Sequence, residues 1–425
     1  MWTPSTILPR VTDNSQLSSA VSRRHVGAEE AANLFSRPGR CCVTVPAGHT
    51  ICTALARLTG APIIERNRLG LLQDGGTYFP AILSAVQNAR CTISVQMYRF
   101  HGGEIATRFA HAFAERARSG VQVRILLDDY GTGRMNGDLQ GLLASAGVEV
   151  RIYNPLRLRN LRRLNQRNHR KLIVIDRSEA FVTGLNLDDV FMGSIDRRAW
   201  RENAVCVRGP LAREIDDSVR AAWSGRGRTG GVSARSLERG DAFNASDGQL
   251  LLSDHEQSTF RIAYLHVIRS AARSVHISTA YLVPEPDLAD ALVHAAQRGV
   301  DVRLLTTGAH NNIALARIGS HATYGVLLHG GVRIFEYRPA MLHAKSIIVD
   351  GKWSALGSPN LDAFGFRYNL ESMLATCDAA FVEELQQSYL ADTQEADEIT
   401  FDDWCRRPLA RRVGDIFVRP LRYLL

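Results

Sequence analysis

The chain has 425 residues, 45% of them hydrophobic and 22% charged, with a formal net charge of +8. That length and apolar share exclude a wholly disordered chain and allow one large core or two ordinary domains. The positive charge favours an anionic partner, a phospholipid surface or a nucleic acid, without choosing between them.

In chain order, residues 1–65 give no recognisable pattern and are left as an N-terminal extension. A helix is expected at 81–89, a strand at 92–98, a helix ending at Gly120, a strand at 121–127, a helix closing at Gly147 and a strand at 148–153. Helices that stop at Gly and pass into β-branched runs are αβ units with Gly past the C-cap. The order then repeats. A helix is expected at 262–272, a strand at 275–281, a helix ending at Gly299, a strand at 300–305, a helix closing at Gly330-Gly331 and a strand at 332–337. Between the copies, 224–249 is rich in Gly, Arg and Ser and reads as a linker. The expected domains are therefore 1–65, a first half 66–223, the linker 224–249, a second half 250–400 and a basic amphipathic tail 401–425.

No run of about 18 apolar residues is present, which argues against a spanning helix, and no apolar segment behind a basic start suggests a secretory signal. The seven cysteines, Cys41, Cys42, Cys52, Cys91, Cys206, Cys377 and Cys405, are odd in number and show no zinc spacing. They imply neither a disulfide framework nor a metal knuckle, and a reducing compartment. Cys91 and Cys206 fall in strand-like runs, where Cys acts as a small hydrophobe.

Each half carries the pattern His-x-Lys-x4-Asp, as His169, Lys171 and Asp176, and as His343, Lys345 and Asp350. Each is followed at the same interval by Thr183-Gly184-Leu185-Asn186 or Gly357-Ser358-Pro359-Asn360. The chain has 48 arginines and only three lysines, Lys171, Lys345 and Lys352. Two of the three occupy the same place in the two motifs. An ammonium is a compact point charge, a guanidinium a wide planar fork, and a crowded phosphate site distinguishes them.

On a strand, His and Lys at i and i+2 project to one side, and the apolar run behind them is expected to anchor that strand. Phosphodiester chemistry needs a nucleophile, an acid for the leaving oxygen and positive charge for the phosphoryl oxygens. The two histidines supply the first two roles, one neutral and one protonated near neutral pH. The lysines, with Asn186, Asn360 and Ser358, supply the third. This inventory calls for no metal or cofactor.

With both motifs present, the chain resembles the phospholipase D superfamily and, within it, the bacterial cardiolipin synthases of a peripheral type. The likeness runs over roughly residues 66–425. It rests further on Asp74-Gly75-Gly76, Asp128-Asp129-Tyr130-Gly131, Tyr281-Leu282-Val283-Pro284, the segment 296–303, Asn360-Leu361-Asp362 and Asn369-Leu370-Glu371. It implies an α/β fold of two tandem αβ(α) sandwich halves related by pseudo-twofold symmetry, with the active site between them. It also implies a phosphohistidine intermediate, with His169 as nucleophile and His343 as acid and base, and with Glu371 and Glu202 orienting the histidines. Asp176 and Asp350 are expected to tie the halves together.

The expected reaction transfers a phosphatidyl group from phosphatidylglycerol to a second phospholipid, at the cytoplasmic face of the inner membrane. Hydrolysis of phospholipid, or of nucleic acid, is the second reading. Arg157, Arg159, Arg162, Arg163, Arg167 and Arg170 before the first motif, and the C-terminal arginines beside an apolar stripe, suit an anionic lipid surface, and nucleic acid is disfavoured. Two departures from the family pattern, Thr183 in place of Gly and Phe364-Gly365 in place of Arg-Ser, bear on substrate choice.

Overall fold

The computed structural model of the chain describes residues 47–133, 135–157, 163–194, 197–225, 246–254 and 259–408. The first half contains β1 (Ile64–Gln73), β2 (Thr92–Met97), β3 (Gln122–Asp128), β4 (Glu149–Tyr153), β5 (Leu172–Ile175), β6 (Glu179–Thr183) and β7 (Asn203–Arg208), in the spatial order β4-β3-β2-β5-β6-β7-β1. The second contains β8 (Ser246–Ser253), β9 (Ser274–Thr279), β10 (Asp301–Thr307), β11 (Arg333–Tyr337), β12 (Ser346–Val349), β13 (Trp353–Gly357) and β14 (Glu371–Thr376), in the order β11-β10-β9-β12-β13-β14-β8. The two orders match strand for strand, as the repeat predicts. One extra strand, β15 (Ala396–Ile399), runs antiparallel along β11.

In each half the first three strands of the repeat are parallel and joined by helices. These are Glu104–Arg118 and Gly137–Ser145 in the first half, and Pro286–Gln297 and Ala314–His329 in the second. The glycines after them, Gly120, Gly147, Gly299 and Gly331, have φ of 91, 83, 89 and 86°, the left-handed conformation a helix stop uses. An outer core under these helices serves each half. A third core lies between the halves. It takes Leu172 and Val174 of β5 and Ile348 of β12 together with residues of the helices Pro210–Trp223 and Ala379–Gln394. β5 reads Leu-Ile-Val-Ile because both its faces are covered: Leu172 and Val174 enter the shared core, Ile173 and Ile175 the outer one.

Several expectations need correction. The helix Ala47–Thr59 lies within the supposed extension and places Cys52 and Leu55 in the second half's core, and β1 begins at Ile64, two residues before the expected boundary. The linker ends earlier than 249, because β8 starts at Ser246 and mirrors β1; residues 226–245 lie outside the described set. Cys52 and Cys377 form a disulfide across a sequence separation of 325 residues, which spacing rules cannot see. Cys91 is exposed, not packed as a small hydrophobe. At the start of the expected tail, Phe401–Cys405 is a short helix whose buried Trp404 stacks on Tyr324, so this part docks on the protein; 409–425 lie outside the described residues. No described helix is long and apolar enough to cross a membrane.

Candidate active site

The motif histidines do not lie in strands, contrary to expectation. β5 and β12 start one residue after each lysine, because the extended segment carrying each histidine pairs with the opposite half instead of with its own sheet. Leu370 N–H donates to Arg167 C=O (2.8 Å) and His169 N–H to Leu370 C=O (2.9 Å). In the mirrored contact, Arg201 N–H donates to Met341 C=O (2.9 Å) and His343 N–H to Arg201 C=O (2.7 Å). The residues that follow these contacts are Glu371 and Glu202.

Each carboxylate thereby meets the imidazole of the other half. His169 Nδ1 lies 2.8 and 3.0 Å from the two carboxylate oxygens of Glu371, and His343 Nδ1 lies 2.7 Å from Glu202 Oε2. Both glutamates are fully buried, and Gly184 makes room for one of them, since a Cβ there would overlap the Glu202 carboxylate. The lysines fold back on their own motifs. Lys171 Nζ donates to His169 C=O (2.8 Å) and lies over the Tyr98 ring. Lys345 Nζ donates to His343 C=O and sits 2.7 Å from His343 Nδ1 and 3.4 Å from Glu202.

The electrostatics of the two corners differ. Burial holds His169 below the usual imidazole range, opposed by Glu371. Burial, then Lys345, Lys171 and His169, push His343 down further, while both lysines also lower His169. Burial also lowers Lys345 and, more strongly, Lys171. Glu202 is pushed up by burial to about 7. The His343–Glu202 pair therefore retains a proton up to neutral pH, whereas His169 is a neutral imidazole with Nδ1 tied to a carboxylate and Nε2 left for a reacting atom.

Other sequence candidates fall elsewhere. Asp176 accepts from the N–H groups of Arg90, Cys91 and Thr92 (2.8, 2.7 and 2.8 Å). Asp350 accepts from those of Ala272, Arg273 and Ser274 (3.0, 2.6 and 2.9 Å). Each closes a turn inside its own half, at the far end of the anchoring strand and about 17 Å along the chain from its lysine. Neither ties the halves together or reaches the histidines. Ser358 is fully buried and bonded through its hydroxyl to the backbone of Ser372, so it has no reach to a phosphate. Asn186 accepts from Arg99 N–H (3.2 Å). Asn360 lines the cavity beside His169, and its amide oxygen has no hydrogen-bond partner among the described residues. Of the arginines before the first motif, Arg170 donates to Glu371 C=O and Ser253 C=O, and Arg167 faces Asp128 at 3.7 Å. Both are buried and hold the halves and the loop, not a lipid surface; Arg159 and Arg162 lie outside the described residues.

His169 opens on a cavity of about 680 Å³ lined by Tyr98, Tyr130, Leu156, Leu164, Tyr281, Val283, Ile313 and Phe364, with Asn360, Asp362 and Asn369 toward its floor. Four more residues shape the site; none was given a role from sequence, although Asp128 and Asp362 lie in segments that carry the family resemblance. Tyr98 packs edge-on against His169, 4.9 Å between ring centres. Trp200 lies against His343 at 5.5 Å. Asp128 accepts Asn168 N–H (2.8 Å) and so sets the loop that carries His169. Asp362 is raised to about 7 by burial. For two of them the missed signal is position: Tyr98 and Asp128 sit at the C-terminal ends of parallel strands, where α/β sheets place their sites.

The cardiolipin synthase, PLD-like domain family matches residues 82–223 and 264–392. The chain is 31% identical over 364 residues to cardiolipin synthase A of Pseudomonas entomophila (strain L48), spanning 82% of this chain and 73% of that protein. To cardiolipin synthase A of Pseudomonas fluorescens (strain SBW25) it is 32% identical over 358 residues, with the same coverage. Among solved structures it matches the phosphatidylserine synthase of Haemophilus influenzae Rd KW20 with a TM-score of 0.69 at 14% identity, over 88% of this chain and all of that one, which speaks to the fold. Doubled motifs, matched strand orders and these likenesses agree: the chain belongs to the cardiolipin synthase family of phospholipase D-like proteins.

Proposed function

We propose that this protein is a phosphatidyltransferase that makes cardiolipin from phosphatidylglycerol and a second phospholipid. The observation that carries the reading is the pair of imidazoles, each backed by a carboxylate from the opposite half and flanked by a buried lysine. His169 Nε2 attacks phosphorus, the bond from phosphorus to the glycerol head breaks, and the His343–Glu202 pair gives its proton to the departing oxygen. The phosphatidyl group then rests on His169. The acceptor hydroxyl gives its proton to His343 as its oxygen takes phosphorus from His169. Lys171, Lys345 and the carboxamide of Asn360 hold the phosphoryl oxygens.

Lipid as the substrate is supported by the cavity mouth. Tyr130, Leu156, Leu164 and Ile313 line it and are 65, 46, 41 and 44% exposed, and Leu315 and Ile318 extend the apolar rim. Exposed apolar side chains around a cavity suit acyl chains arriving from a membrane surface. The protein would thus work as a peripheral enzyme at the cytoplasmic face of the inner membrane. Incubation with phosphatidylglycerol in mixed micelles, with single-stranded DNA as competing substrate, tests the reading. Cardiolipin and free glycerol should appear, and both should vanish in His169→Ala and His343→Ala. DNA cleavage without lipid products would overturn it.

A further inference from the structure

A second cavity, of about 460 Å³, has Arg197, Arg198, Trp200, His310, Asn312 and Met341 in its lining. Two guanidiniums, an imidazole and a carboxamide join Trp200, Pro339, Ala340 and Met341 in its lining, a more basic set than the one around His169. Neither guanidinium forms an ion pair with a described carboxylate, whereas the nearby Arg99 and Arg201 are paired with Asp188 and Asp392. The cavity is one ring away from the reacting centre, because Trp200 packs on the His343 imidazole and Met341 lies two residues before it. The two cavities also share a wall. Tyr281 of the first donates its hydroxyl to Asn312 Oδ1 of the second at 2.8 Å, and Ile313, the next residue, faces the first.

We infer that this basic cavity binds the phosphate of the acceptor during the second half of the reaction. The inference rests on the transferase reading above. The donor's leaving glycerol departs on the His343 side and carries nothing beyond its hydroxyls. The acceptor's hydroxyl takes that same place, but its glycerol continues to a phosphate. A site for that phosphate must lie beyond His343, away from the apolar cavity, and the basic cavity lies there. Charge-assisted bonds from guanidinium to phosphate favour this acceptor over water. The arginines thus set the partition between transfer and hydrolysis: with the acceptor absent, water takes phosphorus from His169, gives its proton to His343 and releases phosphatidic acid.

The test uses the full chain, its Arg197→Ala/Arg198→Ala variant and Arg197→Lys/Arg198→Lys. Each is incubated with phosphatidylglycerol, and cardiolipin and phosphatidic acid are counted in the same reaction. The ratio of cardiolipin to phosphatidic acid should fall about tenfold or more in the alanine variant and recover in part with lysine. Two further arms add soluble glycerophosphoglycerol or isotope-labelled glycerol as acceptor, the label marking the phosphatidylglycerol that transfer to glycerol re-forms. A loss for phosphatidylglycerol alone identifies a lipid-borne phosphate, and an equal loss for glycerophosphoglycerol identifies a phosphate recognised with or without its acyl chains. An unchanged ratio, or an equal fall in transfer to glycerol, overturns the inference. Absence of both lipid products from the unaltered protein would instead defeat the transferase reading.

Discussion

Replacing Glu202 by Gln should make the protein relatively more stable as pH rises, while it loses activity. Glu202 has its carboxyl raised from 4.5 to about 7, with burial as the main cause and Lys345 opposing. A raised acid favours folding fully below its unfolded value near 4.5, and that contribution is lost as pH climbs through about 7. The whole span is worth about 3 kcal/mol at 1.36 kcal/mol per unit, and most of it falls between pH 5 and pH 8. The amide of Glu202→Gln has no charge to bury, so the variant's stability relative to the parent should rise by about that much over the interval. Effects on packing and on the Asn203 N–H bond are the same at both pH values and cancel. Urea unfolding of both proteins at pH 5 and pH 8 measures the difference. Removing a charge-assisted bond to the His343 ring, worth about 1.5–3 kcal/mol, should slow transfer by about ten- to a hundred-fold. A stability difference that does not move with pH, or moves against the variant at pH 8, would refute the reasoning.

The histidine roles separate with a phosphodiester whose leaving group is a nitrophenol: His343→Ala should still release about one nitrophenolate per site in a burst, because that group departs without a proton, and His169→Ala should release none. Equal loss in both, read by nitrophenolate release, would remove the assignment. Lys171→Arg should lose about 100-fold in kcat despite keeping the charge, since Lys171 is fully enclosed between His169 C=O and Tyr98; steady-state assays of cardiolipin formation check it. Asp350→Ala should cost about 2 kcal/mol in stability, because three N–H groups lose their acceptor, with kcat near that of the parent when the folded fraction is assayed.

The two-half architecture was legible because it is written in local signals: helix-stopping glycines, β-branched runs and a motif that occurs twice. The groups proposed to react were legible for the same reason. What sequence could not supply was pairing across the halves. Nothing in the chain near Glu371 says that it serves His169, 202 residues away, or that Glu202 serves His343. Asp176 and Asp350 misled because a conspicuous carboxylate in a motif reads as chemistry or as a tie between halves, while its three N–H partners lie in a turn separated by more than 70 residues in sequence. Ser358 failed differently: its hydroxyl is spent on Ser372 inside the sheet. The placing of Tyr98 and Trp200 against the two histidines was invisible because neither residue carries a pattern of its own.

Pseudo-symmetry with unequal corners is open to one chain that holds both halves. Two identical subunits would place identical surroundings on both histidines, and a nucleophile and an acid need different ones. Here the equivalent positions diverge. Asp128 accepts the Asn168 N–H beside His169, whereas its counterpart Thr307 donates to Leu342 C=O beside His343. Arg170 crosses to the other half where Ala344 cannot. Lys171 keeps to the His169 carbonyl, while Lys345 also reaches His343 Nδ1 and Glu202. The rings differ too, with Tyr98 edge-on at His169 and Trp200 and Phe191 against His343. The divergences fall unequally on the two imidazoles, so the fused chain can keep one ring neutral and leave a proton on the other's partner, although the backbone that presents them is nearly the same.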